Sequence, residues 1–347
     1  MLKSPNRSRA ARPLSRGLKF CLLLGLLAML AGASWFLPQT IFEHRPVEPP
    51  AAQRVKVAPG TALPQIATQL EQAGVVSDAG RFIRLVRLRT AAQKLKAGEY
   101  EFAVAATPAE ILDRLVAGDV IKIRITIPEG FNLREIAGRV AAAGIGSAEQ
   151  LHALAKDPVF ASKLKVPAGT LEGYLFPETY TVNTTTSTNE LLQTMVAQLD
   201  RQLSPELLDA ARSHGLNRHA LVTLASIIQK EAGNDAEMPL ISAVFHNRLR
   251  LGMRLQADPT VIYGISNFNG NLTRRDLQTP TPYNTYTRGG LPPGPIASPG
   301  LAALRAAAHP ETSDALYFVS RGDGTHVFST TLTAHNRAVQ RYQLKRR

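Results

Sequence analysis

VKVAPGTALPQIATQLEQAGV (residues 55–75) recurs seventy positions later as ITIPEGFNLREIAGRVAAAGI (residues 125–145). Gly60/Gly130, Leu63/Leu133, Ile66/Ile136, Ala67/Ala137, Ala73/Ala143 and Gly74/Gly144 are identical, and Val55/Ile125, Val57/Ile127 and Val75/Ile145 differ by one methylene. Each copy opens with apolar residues alternating at period two, the mark of a strand with one buried face. A Gly follows, then apolar residues at helical spacing up to a second Gly that ends the helix. The repeated unit is therefore strand, turn and helix, with the helix packed on its strand. A chain built on such a unit is predicted to be α+β.

Outward from the repeat, residues 94–105 (KLKAGEYEFAVA) read as a strand between the copies. Residues 147–164 are helical with a break at Asp157-Pro158, because a residue before Pro disfavours the helical region. LEGYLFPETY (171–180), with Gly173 and Pro177, reads as a loop. Residues 189–203 and 205–213 read as two helices, and 219–232 and 236–251 as a helical pair around Gly233-Asn234-Asp235. Between 280 and 300, 10 of 21 residues are Pro or Gly, which predicts an ordered or gating loop, with residues 290–300 as a candidate wall for a cleft. Residues 316–319 and 326–329 read as strands around Gly322-Asp323-Gly324, and 335–344 as a closing helix.

The N-terminus reads as a membrane address. Lys3, Arg7, Arg9, Arg12, Arg16 and Lys19 precede the first acid, Glu43, and residues 20–37 carry no charge. As a helix these 18 residues would span roughly 27 Å, enough for a bilayer core. Trp35 and Phe36 stand at the far end, where aromatic rings favour the interface, and the basic flank predicts a cytoplasmic N-terminus. The rival reading is a cleavable signal peptide with Ala31-Gly32-Ala33 as its site. The expected layout is a basic tail (1–19), a transmembrane anchor (20–37), a linker (38–54) stiffened by Pro46, Pro49 and Pro50, a small domain (55–124) and a larger mixed domain (125–345).

The 347 residues carry a net charge of +13, which on its own suggests nucleic acid. Its distribution argues otherwise: without the six N-terminal cations, 34 basic face 27 acidic residues, and five of those basic residues crowd the C-terminus. A body outside the cytoplasm has little access to nucleic acid, and mild positive charge suits an anionic extracytoplasmic polymer or a membrane surface. A hydrophobic content of 44% excludes wholesale disorder. The single Cys, Cys21, excludes a disulfide framework and a Cys-rich zinc site.

The chemistry-bearing motifs of several large classes are missing. There is no H-E-x-x-H, no G-x-x-x-x-G-K-[ST] phosphate loop and no G-x-S-x-G elbow, and neither a metal nor a cofactor is expected. Carboxylates remain. In HALVTLASIIQKEAG (219–233), Leu221, Leu224 and Ile228 follow a helical stripe whose next step is Glu231. An acid on an apolar stripe, in the last turn of a helix, has its pKa raised by desolvation and by the negative end of the helix dipole. A carboxyl kept protonated near neutrality serves as a general acid. The plainer reading is a solvated Glu paired with a base. Polar residues cluster nearby in sequence: His246, Asn247 and Arg248; Arg254, Gln256 and Asp258; and Tyr283, Asn284, Thr285 and Tyr286. Rings and amides of this kind suit a sugar, whose hydroxyl and acetamide groups need polar partners. Asp258 and Asn284 also have plain structural readings, as a helix start and a turn residue.

Together ASIIQKEAG (225–233), VFHNRL (244–249), MRLQADPTVIYG (253–264), TPYNTY (281–286) and GLPPGPIASPG (290–300) resemble the endolytic murein transglycosylase, or YceG-like, family. LEGYLFPETY and the LYFVS and HVFS segments fit the same resemblance, which covers roughly residues 55–342. It implies a lyase of the bacterial inner membrane, with a single pass, a cytoplasmic N-terminus and a periplasmic catalytic domain. Such enzymes cut the bond between N-acetylmuramic acid and N-acetylglucosamine inside peptidoglycan strands and leave 1,6-anhydro-muramyl ends. The family's acid is carried over to Glu231. The family often reads Glu-Lys-Glu where this chain has Gln229-Lys230-Glu231. Gln256, Asp258, Asn284 and Tyr286 are the candidates for holding the sugar. The small domain resembles the LysM type of glycan-binding module, against the plainer alternative of a β-α element without a ligand. Expected partners are peptidoglycan strands, the membrane and, as candidates, peptidoglycan synthases. Two competing functions stand beside the lyase: a non-catalytic, membrane-anchored glycan-binding scaffold, and a muramidase-type hydrolase using Glu231 with Asp258.

Overall fold

The computed structural model describes residues 23–29, 46–49 and 51–344. The expected tail (1–19) lies outside the described residues, as does most of the expected anchor; residues 23–29 are helical, with Leu23, Leu24, Leu26 and Leu27 exposed. No helix among the described residues is long and apolar enough to cross a membrane. The chain divides into two compact units, the first ending at Ile121 and the second starting at Lys122.

The small unit runs β1 (Gln53–Val57), α1 (Leu63–Gln72), α2 (Ala79–Leu88), β2 (Gly98–Phe102) and α3 (Pro108–Ala117). β1 and β2 are antiparallel, with Val55 opposite Tyr100. The alternation read from the sequence places Val55 and Val57 inward, against Ile66 and Leu70 of α1, Phe82 of α2 and Leu112 and Leu115 of α3. Tyr100 is fully buried, and its hydroxyl is satisfied by donating to Lys96 O at 2.6 Å. α3 starts with a reciprocal Thr107/Glu110 cap and stops at Gly118, whose φ of +72° suits a residue without a Cβ.

The large unit opens with the second copy: β3 (Ile123–Thr126), α4 (Leu133–Ala142), α5 (Ala148–Ala155), α6 (Pro158–Lys163) and β4 (Thr179–Val182). β3 pairs with β4 in antiparallel register, Ile125 opposite Tyr180. The loop expected at 171–180 is thus corrected at its end, where Thr179 and Tyr180 begin a strand. The duplication also extends further than its sequence identities. α2 and α5 occupy corresponding places, so each copy forms a strand–helix–helix–strand unit, with α6 added in the second.

The rest of the unit is mainly helical: α7 (Thr188–Gln202), α8 (Pro205–Ser213), α9 (Arg218–Glu231), α10 (Met238–Arg250), α11 (Asp258–Tyr263), α12 (Arg274–Gln278) and α13 (Leu301–Ala308). It closes with β5 (Tyr317–Ser320), β6 (His326–Ser329) and α14 (Leu332–Val339). α9 is its centre. Every residue from Leu221 to Ile228 is buried, so the helix is enclosed all round and not on one stripe only. α13 packs along it with four buried alanines, Ala303, Ala306, Ala307 and Ala308, small enough to let the two backbones approach.

Of the Pro/Gly-rich segment read as an ordered or gating loop, residues 290–300 form an ordered, mostly buried strap over α9. Ile296 N–H donates to Ser226 Oγ at 3.1 Å, and Gly300 N–H to Gln229 Oε1 at 2.8 Å. Gly130 N–H donates to Ser298 O and Ser298 N–H to Phe131 O, both at 2.8 Å. None of residues 290–300 lines the cavity described next, whereas Tyr286, earlier in the same Pro/Gly-rich stretch, does.

Candidate active site

Asn217 caps the N-terminus of α9 by accepting from Ala220 N–H at 2.9 Å. The helix ends at Glu231 because Ala232 turns to extended backbone, φ −72° and ψ 130°. Gly233 follows where a Cβ would stand 2.4 Å from Gly324 O, so only Gly fits there. Glu231 therefore emerges from the buried helix at its negative end, into a cavity of about 470 Å³. Gln256, Asp258, Tyr286, Arg248 and Tyr317 share that cavity.

The chain from 255 to 258 is held against residues 284–286. Gln256 N–H donates to Thr285 O at 3.2 Å, and Ala257 N–H to Thr285 Oγ1 at 3.0 Å. The buried Thr260 hydroxyl donates to Ala257 O at 2.7 Å and lies 2.9 Å from Thr285 Oγ1. Gln256 adopts φ +49°, a left-handed conformation costly for a residue with a Cβ. Strain of this kind persists where the surroundings over-determine the backbone, and here they fix a side chain on the cavity wall. Asp258 opens α11 and accepts from the Tyr286 hydroxyl at 2.6 Å.

Arg248 is a buried cation, 6% exposed, on α10. Its Nε donates to Leu316 O at 2.7 Å and its Nη1 to Leu255 O at 2.6 Å, so it ties β5 to the 255–258 segment. The guanidinium also stacks over Tyr317, 5.3 Å from the ring centre.

The electrostatics single out Glu231. Its carboxyl is pushed up to about 8, first by burial and then by the Asp258 charge, while Arg248 pulls the other way. The residue keeps partial access to solvent, which is the cavity itself. It is thus protonated at neutral pH yet reachable. Burial and the neighbouring Asp258 and Glu231 charges also raise the Tyr286 phenol above its ordinary value, so it stays a hydrogen-bond donor.

The other strongly perturbed carboxyl, Glu172, is pushed up to about 7 by burial. It accepts from Leu133 N–H at the start of α4 (3.1 Å) and from the Tyr263 hydroxyl (2.9 Å), and it does not line the cavity. A larger hollow of about 790 Å³, between α8, α10 and residues 310–313, also contains histidines. There His246 Nε2 is engaged with Ala307 O, and Asn247 donates to Ser313 O and Ala315 O.

A profile of the YceG-like family matches residues 55–341. The chain belongs to the YceG-like family. It is 30% identical over 330 residues to the endolytic murein transglycosylase of Bacillus subtilis, covering 90% of this chain and 91% of that one. It is also 30% identical over 351 residues to a Streptococcus pneumoniae protein of the same name, covering 91% of this chain. The chain spans 63% of that longer relative. Among solved structures it is similar to a YceG-like protein from Listeria monocytogenes, with a TM-score of 0.58, 33% identity, and coverage of 83% of this chain and 99% of that one.

Of the residues singled out from the sequence, Glu231, Gln256, Asp258 and Tyr286 meet at one cavity. Asn284 does not. It is fully buried, its Nδ2 donates to Asp276 O, Leu277 O and Thr279 O, and its Oδ1 accepts from Tyr286 N–H. With its amide fully used, it shapes the loop that carries Tyr286 and has no group left for a sugar. Arg248, one of the clustered polar residues, also lines the cavity, as do Tyr317, His326 and His335, which were not singled out from the sequence. The HVFS segment and the Arg on the apolar side of α10 were the available signals.

Proposed function

We propose that the protein is an endolytic peptidoglycan lytic transglycosylase with Glu231 as its acid and base. The observation that carries the proposal is a reachable carboxyl held protonated at neutral pH in a polar-lined cavity. Protonated Glu231 donates to the oxygen joining N-acetylmuramic acid to the next N-acetylglucosamine as that oxygen leaves. The resulting carboxylate, favoured by the Arg248 charge, takes the proton from the muramyl C6 hydroxyl. That hydroxyl closes on C1 and gives a 1,6-anhydro ring without adding water. The nucleophile belongs to the substrate and is already positioned, so one carboxyl performs both transfers. Gln256 and Tyr286 are placed to hold the sugar.

Asp258 favours a second reading. Two carboxyls sharing one cavity are the equipment of a muramidase-type hydrolase, with Asp258 supporting water or the sugar cation. Uncrosslinked glycan strands, digested by the wild type and by Glu231→Gln and examined by mass spectrometry of their ends, separate the options. Anhydro-muramyl ends from the wild type alone support the lyase, and reducing ends the hydrolase. Retention on glycan without cleavage by either protein would leave a binding scaffold.

The wider setting belongs to the same proposal. The uncharged segment 20–37 behind a basic flank supports a single-pass anchor in a bacterial inner membrane, with the body periplasmic. The strand–helix–helix–strand order of the small unit, with its antiparallel strand pair, supports a LysM-like glycan-holding role. An enzyme so tethered acts on nascent strands, limits their length and works beside peptidoglycan synthases. A chain lacking residues 1–37 should cut purified glycan normally but fail to act in cells; full cellular action without them would refute the tether.

A further inference from the structure

The part of the cavity wall supplied by β6 contains a histidine that the chemistry above does not use. Glu237, in the short turn after α9, grips His326 twice: Oε1 accepts its backbone N–H at 2.9 Å, and Oε2 lies 2.9 Å from ring Nδ1. The ring stands edge-on to Phe318, at 5.4 Å and 90°. Asn234 Nδ2 donates to Gly324 O at 2.9 Å, so the turn after α9 also fixes the hairpin that carries His326. One turn thus positions both Glu231, at the end of the helix, and His326 across the cavity. In the neutral ring the Glu237 carboxylate, which only accepts, holds the proton on Nδ1, and Nε2 keeps its lone pair. Among the described residues nothing hydrogen-bonds to Nε2, and His326 lines the cavity.

We infer that His326 is a substrate-binding residue whose Nε2 accepts a hydrogen bond from a hydroxyl or acetamide N–H of the glycan held beside Glu231. The inference rests on the glycan reading of the cavity. A histidine kept only to pin the hairpin needs Nδ1 and its packing; a ring that also forms the cavity wall with a free acceptor has a second use.

The two nitrogens can be tested separately, because the Asn amide reproduces the Nδ1 position and the Gln amide the Nε2 position. The full chain carrying Glu231→Gln, which cannot turn the ligand over, is titrated with an uncrosslinked hexasaccharide of alternating N-acetylglucosamine and N-acetylmuramic acid. His326→Asn is expected to weaken binding roughly three- to tenfold, the worth of one hydrogen bond. His326→Gln should bind within about twofold of the parent. Thermal stability should move the opposite way, near normal in His326→Asn and lowered in His326→Gln, where the Glu237 contact is lost. In the active background, His326→Asn should raise KM more than it lowers kcat. Equal binding by parent and His326→Asn would overturn the inference, as would loss of binding in His326→Gln equal to that in His326→Asn. If the wild type leaves strands uncut while binding follows Nε2, the lyase reading fails and the inference stands. If Glu231→Gln binds no glycan, both fail.

Discussion

Replacing Glu231 by Gln keeps the shape of the side chain and removes its titration, and the protein should gain stability by an amount that grows with pH. Glu231 is pushed up to about 8 from the ordinary 4.5 of an unfolded chain. The folded state therefore holds the proton over a range in which the unfolded state has lost it. The stability linked to that proton is fully present below about 4.5, declines as pH rises, and is gone above about 8. Gln has no such dependence. Relative to acid, the advantage of Glu231→Gln should reach about 1 kcal/mol at pH 5, about 3 kcal/mol at pH 7 and about 5 kcal/mol at pH 9. These are ceilings, because the carboxyl keeps some contact with cavity water. Urea unfolding of both proteins at the three pH values measures the difference directly. A difference of any size that does not change with pH would refute the assignment of a protonated, desolvated carboxyl at this position. The same variant should lose glycan cleavage, so the substitution that most stabilises the site also silences it.

The remaining predictions probe the neighbours of Glu231. Asp258→Asn removes a negative charge that raises the Glu231 pKa, so the alkaline limb of the pH–rate profile should move to lower pH; an unmoved limb would break the electrostatic link. Gln256→Gly relieves a left-handed backbone worth about 1 kcal/mol, against a chain-entropy cost of similar size. Its melting temperature should therefore hold while KM for glycan rises, and a large loss of stability would show that the Gln side chain serves packing instead. Asn284→Ala strips two N–H donors shared among three carbonyls, and one accepted hydrogen bond, from a buried loop and should cost about 2–4 kcal/mol in chemical denaturation. A stable variant with weakened glycan binding would restore Asn284 to the sugar.

The repeat was legible because its physics is local. Alternation, a turn Gly and a helix-ending Gly each act within a few residues, and Gly60, Gly74, Gly130 and Gly144 all adopt positive φ in the structure. The second strand of the large-unit pair was missed because TYTV is short and follows Pro177, and its partner lies more than fifty residues away. The strap over 290–300 reads as a loop by composition, and tertiary hydrogen bonds to Ser226, Gln229 and residues 130–131 hold it. At the site, Glu231 stood out because acid on an apolar helix is locally anomalous. Asn284 carried the same polar signal as Gln256 but spends it inside the loop, a distinction that depends on where three carbonyls lie. His326 gave no local anomaly. Its meaning arises only when Glu237, 89 residues earlier, takes one nitrogen and leaves the other at the cavity.

The walls of the cavity also set an order of assembly. Glu231 lies near the middle of the large unit, but Tyr317, His326, His335, Val339 and Gln343 come from its final stretch. As the chain emerges from the ribosome, the small unit has all its residues once Ile121 is made, and the acid is synthesised long before its pocket exists. Before that stretch is made, Glu231 lacks these walls, and a carboxyl with less burial is pushed up less. The acid's chemistry is therefore completed by the part of the chain that is made last.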